Sequence, residues 1–508
     1  MKRVFFPLCA ALLAIATWVG YDNFADGVDI QASVVSGPAP VELVAQGAYL
    51  ARAGNCVSCH TAPGEAPYAG GRALATPFGT VYASNLTADT TTGLGGWNAQ
   101  HFWRALHHGR SKDGRLLAPV FPYNHTSLIT RADSDALFAF FQSLAPVARA
   151  TEAHELRWPF GTQAAFAVWR SLYFKPATFV ADAQQSPEWN RGAYLVQGLG
   201  HCAACHSARD ALGASGALDD LSGGVMPGVN WYAPSLLSVP ETDLAHTPPA
   251  EIVRLLKTGQ SSHAWVSGPM GEVVQNSTQY LRDDDLRAMA TYLQSRAQQA
   301  LSAQPESTAA SPSRKASVRS VANGAAVYKD HCAQCHGDQG QGQANAYPAL
   351  AGSRAVQMSD ITNLVQILTY GGFSPATQAQ SQPYGMPPFV LTLSDRDMAD
   401  VLTHVRQQWG NRAPTVTEFD VNRVRVLQTQ FGQTFDGAGK PLRCQARMRQ
   451  ISKHGAVIAM RQHDFNGARH THWQGSHLRR HVQWICGHSK RQQGLCCCHA
   501  FGRQGRHG

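Results

Sequence analysis

Apolar residues along this chain gather into three pairs of amphipathic stretches, separated by long loops rich in Gly and Pro. The leading member of each pair carries a similar start: Gly47-Ala48-Tyr49-Leu50, Gly192-Ala193-Tyr194-Leu195 and Gly324-Ala325-Ala326-Val327-Tyr328. The closing members begin behind acidic or hydroxyl residues that suit a helix N-terminus. One starts near Ser134 with Leu137, Phe141 and Leu144 on one face, and one near Asp284 with Leu286, Ala290 and Leu293. The last starts near Ser394 with Met398, Val401 and Val405. Apolar positions spaced in this way form one stripe of a helix. A helix before each loop and another after it, three times over, reads as an internal triplication and a mostly α fold. A further helix is expected from Asn98 to about His107 and His108, where an imidazole suits the helix dipole.

The two ends of the chain break this pattern. Met1-Lys2-Arg3 followed by an apolar run from Val4 to Val19 reads as a signal peptide or N-terminal anchor, with residues 1–36 as leader. The run is shorter than a confident bilayer span, and Ala14-Ile15-Ala16 offers a cleavage site. Residues 301–318, rich in Ser, Ala, Pro and Gln, read as a flexible linker. Beyond Asn411 the helical period disappears.

Charge adds a second reason to set the tail apart. The net charge of +9 comes from residues 431–508, which hold 13 Lys/Arg against 2 Asp/Glu; the rest has 30 against 32. The first 430 residues therefore do not describe a basic, nucleic-acid-binding protein. The tail also carries nine His and five Cys, and Cys496-Cys497-Cys498-His499 misses a C-x-x-C-H motif because Leu495 stands where Cys is needed. Five unpaired Cys would be hazardous in an exported chain. Residues after about 430 are expected to be disordered, to carry no function, and to derive from an out-of-frame read.

The loops hold the candidate chemistry. Cys56-Val57-Ser58-Cys59-His60, Cys202-Ala203-Ala204-Cys205-His206 and Cys332-Ala333-Gln334-Cys335-His336 each match C-x-x-C-H. In that motif two thiols one turn apart form thioethers to haem vinyl groups, and the adjacent imidazole becomes the proximal iron ligand. A single copy could be a zinc site or a redox dithiol; three copies point to three covalently bound haem c groups. Each unit then has the plan of a class I cytochrome c domain: residues 37–150, 187–300 and 319–412. A connecting segment (151–186) lies between the first two, and 413–508 is a C-terminal extension. Trp158-Pro159-Phe160 and Trp169-Arg170 in the connecting segment are expected to pack those two domains together.

Met is the usual sixth iron ligand. Met386, held in Tyr384-Gly385-Met386-Pro387-Pro388, and Met270, in Gly268-Pro269-Met270, are the candidates; Met358, Met398 and Met226 are their rivals. Between Met1 and Met226 there is no Met, and Phe121 stands at the corresponding place. The first haem is then either five-coordinate or bound by a nearby His, with His125 preferred over His107 and His108. The proximal His also needs a backbone carbonyl to orient its ring; those of Pro77, Pro234 and Pro348 are the candidates.

With Thr76-Pro77-Phe78-Gly79-Thr80, Arg191-Gly192-Ala193-Tyr194-Leu195, Leu256-Lys257-Thr258-Gly259 and Met386-Pro387-Pro388-Phe389, the chain resembles the triple-haem cytochrome c subunit of bacterial membrane-bound dehydrogenases. The resemblance covers about residues 40–425. It implies a separate catalytic subunit of quinoprotein, flavoprotein or molybdenum type. Electrons would pass through three haems to ubiquinone or a terminal oxidase, at the periplasmic face of the inner membrane. Position in the family pattern supports Met270 and Met386 as ligands, and Phe121 departs from it. No nucleotide loop or nucleophile constellation is present, so an electron-transfer subunit without its own substrate site is the first expectation. A c-type haem peroxidase using an open first haem, or a stand-alone soluble shuttle, are the alternatives.

Overall fold

Three leading helices, Val41–Ala53, Pro187–Ala193 and Val318–His331, pack against three closing helices, Arg131–Ser143, Asp283–Ala303 and Asp395–Gln407. The computed structural model describes residues 2–24, 39–303, 317–431, 482–483 and 501–502. Most of the linker and of the basic tail, with its expected disorder, lie outside the described residues. The described chain is mostly helical with little sheet.

The glycine of each leading helix explains why the repeats begin as they do. A Cβ on Gly47 would lie 1.9 Å from the Ala136 carbonyl oxygen, one on Gly192 1.9 Å from that of Ala288, and one on Gly324 2.2 Å from that of Asp400. The helices cross backbone against backbone, and only a residue without a side chain fits there. The second leading helix runs on as a π-helical stretch, Tyr194–Leu199. This accommodates the one extra residue between Gly192 and Cys202 compared with Gly47 and Cys56. Insertion of this kind is the usual origin of a π-turn.

Caps set the starts of the other helices. Thr130, rather than Ser134, caps the first closing helix by accepting from the Asp133 N–H, so the helix begins at Arg131 and Ser134 is buried inside it. Ser394 and Asp397 form a reciprocal capping box, as do Asn98 and His101 ahead of the helix Ala99–His108. In that helix His107 stacks on Trp103 at 4.4 Å.

The first two helix pairs share one apolar core, which includes Leu50, Ile129, Phe141, Leu195, Leu286 and Tyr292. Their union is reciprocal. Tyr49 of the first leading helix donates to Asp285 at the start of the second closing helix. Tyr194 of the second leading helix donates to Asp133 at the start of the first closing helix, at 2.6 Å. The third pair has Ala326 where the others have tyrosine, and builds its own core around Tyr328, Val365, Met398 and Val401. The helix Glu418–Phe431, where the sequence offered no period, packs on this third core. Among its described side chains, Val421 and Val424 face the interior, and Arg425 pairs with Asp395.

Short antiparallel ladders fill the loops. Ala73–Thr76 and Gly79–Tyr82 form a first hairpin extended by Glu155–Leu156, and Gly224–Met226 with Trp231–Ala233 form a second. In the connecting segment, Trp169 reaches the second unit by donating from Nε1 to the Leu212 carbonyl at 3.1 Å, whereas Trp158 is 86% exposed and joins nothing. No described helix is long and apolar enough to cross a membrane. The N-terminal helix Lys2–Phe24 docks by its last turn. Asn23 donates to the Ala167 carbonyl and Ser171 Oγ at 3.1 and 2.9 Å, and accepts from Arg170 Nε at 3.0 Å.

Candidate haem-attachment sites

Each C-x-x-C-H motif is wound into a single helical turn directly after its leading helix: Cys56–Cys59, Ala203–His206 and Ala333–His336. All three motif histidines are oriented in the same way. His60 Nδ1 lies 2.7 Å from the Ser84 carbonyl oxygen, His206 Nδ1 2.7 Å from that of Pro234, and His336 Nδ1 2.9 Å from that of Pro348. A carbonyl only accepts, so Nδ1 carries the proton and Nε2 keeps its lone pair for a metal. Burial lowers the pKa of each of these imidazoles, which favours the neutral form an iron ligand requires.

Pro234 and Pro348 are thus the carbonyl donors expected from the sequence, but Pro77 is not. Pro77 sits in the turn of the first hairpin, where its carbonyl accepts from Arg157. Its counterpart in the second unit is Pro227, also in a hairpin turn, while Pro234 directly follows the second strand. Ser84, two residues past the strand end at Tyr82, supplies the corresponding carbonyl, and it need not be proline because only its carbonyl is used.

The thiols lie in surroundings that suit neutral sulfur. Burial, with a small addition from the neighbouring motif cysteine, pushes Cys56 and Cys202 up to about 12 and Cys332 up to about 11. Cys59 also rises to about 11, chiefly through burial. A thiolate-based zinc site or a reactive dithiol needs the opposite shift. Among the described residues no three His, Cys, Asp or Glu side chains converge in a way that could hold a metal ion. The raised thiols of Cys56, Cys59, Cys202 and Cys332 beside neutral imidazoles fit a porphyrin joined through thioethers. Cys56, Cys59, Cys202, Cys205, Cys332 and Cys335 would make the covalent bonds, and His60, His206 and His336 would approach the iron.

The candidate sixth ligands come from separate elements. Met270 lies in the first turn of the helix Pro269–Asn276, part-buried against the shared core that also touches Cys56 and Cys202. Met386 is held in a two-residue ladder, Gly385–Met386 against Gly372–Phe373, on the core that touches Cys332. Of the rivals, Met398 is fully buried inside the third closing helix and Met358 is 3% exposed, whereas Met226 pairs with Trp231 in the second hairpin. His125 is 2% exposed. Its Nδ1 lies 2.7 Å from the Gln197 carbonyl oxygen, and its Nε2 has no hydrogen-bond partner. Burial first, then His201 and Arg209, lowers its pKa to about 4, so the ring is neutral at physiological pH.

The structure also brings together residues that no motif connects. The Cys59 thiol lies within electrostatic reach of Cys205 of the second motif. Arg72 spans the junction: it donates to the Ser58 carbonyl and forms a two-pronged pair with Glu272, two residues after Met270. These partners are 200 residues apart in sequence, and nothing local in either segment signals the pairing.

A family model described as cytochrome c matches residues 190–297 and 321–409. The chain is 39% identical to the cytochrome c subunit of a quinone-type alcohol dehydrogenase from Gluconacetobacter polyoxogenes, over 75% of this chain and 84% of that protein. It is 37% identical to the cytochrome c subunit of gluconate 2-dehydrogenase from Pantoea cypripedii, over 76% and 90% respectively. The cytochrome subunit of fructose dehydrogenase from Gluconobacter japonicus is 31% identical, over 75% and 82%.

Proposed function

The chain belongs to the family of cytochrome c subunits of alcohol, gluconate and fructose dehydrogenases, and from that premise we propose that it is a triple-haem electron conduit. Three tandem class I cytochrome c domains, 37–150, 187–300 and 319–412, each hold one haem through the cysteines and histidine of their motif. Electrons enter from a separate dehydrogenase catalytic subunit, of quinoprotein, flavoprotein or molybdenum type, and leave to ubiquinone or a terminal oxidase. The chain works at the periplasmic face of the inner membrane, exported or anchored through its N-terminal segment.

The observation that carries this reading is the threefold recurrence of one geometry: a C-x-x-C-H turn whose imidazole has its Nδ1 fixed on a backbone carbonyl. When bound, each haem supplies a one-electron ferric–ferrous couple. The protein's part is to hold the proximal ring in one tautomer, to keep water from the apolar wall, and to set ligand strength on the far side. Intact mass should rise by three haems over the polypeptide. Adding the catalytic subunit and its substrate should reduce all three, read from haem absorbance. Fewer than three haems, or no reduction by any such partner, would refute the proposal.

Met270 and Met386 complete the second and third sites. Met270→Ala and Met386→Ala should each remove the sulfur-to-iron absorption band of one haem and lower that haem's potential, leaving the other band in place. Retention of both bands in both variants would show the ligand assignment to be wrong. For the first haem, His125 is the sixth ligand. Support comes from its Nδ1–carbonyl anchor, which matches that of the three proximal histidines, and from its unpartnered Nε2. A six-coordinate, low-spin first haem argues against peroxidase activity there. His125→Leu is expected to convert one haem of three to high spin; a wild-type first haem that is already high-spin would favour the peroxidase instead.

A further inference from the structure

His125 sits in a single helical turn, Tyr123–Thr126, whereas Met270 is carried by the helix Pro269–Asn276. One turn is too short to hold its shape unaided, and its support comes from the connecting segment. The helix Gln163–Tyr173 is joined to the stretch from Leu116 to Asn124 at three places. At its start, Gln163 Oε1 accepts from the Leu116 N–H at 2.7 Å and Nε2 donates to the Leu116 carbonyl at 3.1 Å. At its end, Asn124 Nδ2 donates to the Tyr173 carbonyl at 3.2 Å. Between these, the fully buried Tyr123 ring meets Trp169, Arg170 and Phe174.

We propose that this helix is the clamp that holds His125 in place as a ligand of the first haem, with Arg170, stacked on Tyr123, as its central positioning residue. The inference rests on the reading of His125 as sixth ligand and adds what keeps that ligand from letting go.

The contacts around Arg170 leave the turn no slack. Its guanidinium lies 5.3 Å from the centre of the Tyr123 ring and 4.6 Å from that of Phe174, and the residue is 3% exposed. A cation over an aromatic face is attracted to it, more strongly where both are desolvated. Gly109, at φ +58°, closes the other side: a Cβ there would lie 2.7 Å from Tyr123 Cδ1 and 2.9 Å from Arg170 Nη1. Asn23 fixes the arginine from behind by accepting from its Nε at 3.0 Å, while Asn23 Nδ2 donates to the same helix at the Ala167 carbonyl and Ser171 Oγ. Tyr123 and His125 share one turn, so a shift of the first carries the second. The His125 ring is anchored from the opposite direction, at the Gln197 carbonyl. Backbone and ring are therefore held by two different elements, neither of which belongs to the first unit's own helix pair. Partners that orient a metal ligand in this way are worth ~10–100-fold in ligand hold when they are removed.

The test uses the haem-loaded full chain in its reduced state, with carbon monoxide as the probe. Carbon monoxide binds a ferrous haem only where the sixth position is open, so its binding rate reports how often His125 leaves the iron. Arg170→Met, which removes the charge from the Tyr123 ring, should raise that rate roughly tenfold or more at one haem of three. The same haem should gain a high-spin fraction when oxidised. The sulfur-to-iron band of the other two haems should stay unchanged, which a general loosening of the fold would not allow. Arg170→Lys keeps a cation over the ring and should restore most of the wild-type rate. If Arg170→Met does not take up three haems, Gln163→Ala, which releases the far end of the clamp, gives the same readout. Carbon monoxide binding unchanged in a variant that carries three haems overturns the proposal, and so does an equal change at all three. Rapid binding by the wild type would overturn the His125 ligand reading and this inference together, and it would be seen before any variant is made.

Discussion

Gly192→Ala is expected to destabilise the second helix pair, although helix propensity alone predicts the reverse. Replacing a mid-helix glycine by alanine normally gains about 1 kcal/mol. At this position the new methyl carbon would lie 1.9 Å from the Ala288 carbonyl oxygen, 2.6 Å from the Ala288 carbonyl carbon and 2.8 Å from Tyr292 Cβ. Two of those atoms are backbone of the facing helix and cannot rotate away. Overpacking of a tight contact costs ~1–3 kcal/mol, and a backbone clash belongs at the upper end, so steric cost should exceed propensity. Gly192→Leu should go further and prevent haem incorporation at Cys202 and Cys205, because the motif follows the displaced helix directly. Gly271→Ala, whose new carbon would meet nothing closer than Pro375 Cδ at 3.8 Å, is the control and should be neutral or stabilising. Thermal unfolding and haem count by intact mass decide the matter. Equal stability of Gly192→Ala and Gly271→Ala would sink the close-crossing argument for all three repeats.

That glycine also shows how far the sequence could be read. The repeated Gly-Ala-Tyr-Leu start and the stripes of Leu and Val announce the helices, because helix faces are written locally, every three or four residues. The attachment cysteines and histidines are equally local, being five residues in a row. What the sequence hid depends on contacts across long separations. Ser84 was hidden because a main-chain carbonyl carries no side-chain signature, and the proline in the neighbouring hairpin turn offered a false one. The Arg72–Glu272 pair exists only once the first two helix pairs and their loops meet. The helix Glu418–Phe431 escaped because its apolar residues are interrupted by Asp420, Arg423 and Arg425, although Val421 and Val424 are buried. The Tyr49 and Tyr194 rings lie inside the repeated start, yet each serves the other pair's closing helix. A repeat therefore reveals the unit well and its pairing poorly.

The pairing itself can be tested through Asp285, whose carboxylate is a meeting point of the first two helix pairs. Its side chain is only 5% exposed. It accepts from Arg191 Nε at 2.7 Å and Nη2 at 3.0 Å, from Arg282 Nη2 at 3.2 Å, and from Tyr49 of the other helix pair. Burial alone would raise its pKa; the Arg191, Tyr49 and Arg282 contacts outweigh it and hold the group down at about 2. A carboxylate depressed in the folded state contributes stability that is fully present above its unfolded pKa of about 4 and is lost as pH falls through the folded value. The depression corresponds to about 2 kcal/mol. Arg282 is 67% exposed and Arg191 33%, so solvent recovers part of what the arginines lose when the partner is removed. Asp285→Asn should therefore be less stable than the wild type by about 2 kcal/mol at pH 7, and the gap should close between pH 4 and pH 2. Tyr49→Phe should reproduce a smaller part of the loss, about 1 kcal/mol, because one hydrogen bond to a charged acceptor is removed and the arginines remain. Denaturant unfolding of the three proteins over that pH range is the measurement. A gap that persists unchanged at pH 2 would mean that the carboxylate charge does not hold the two helix pairs together, and that the shared core around Leu195 and Tyr292 does so alone.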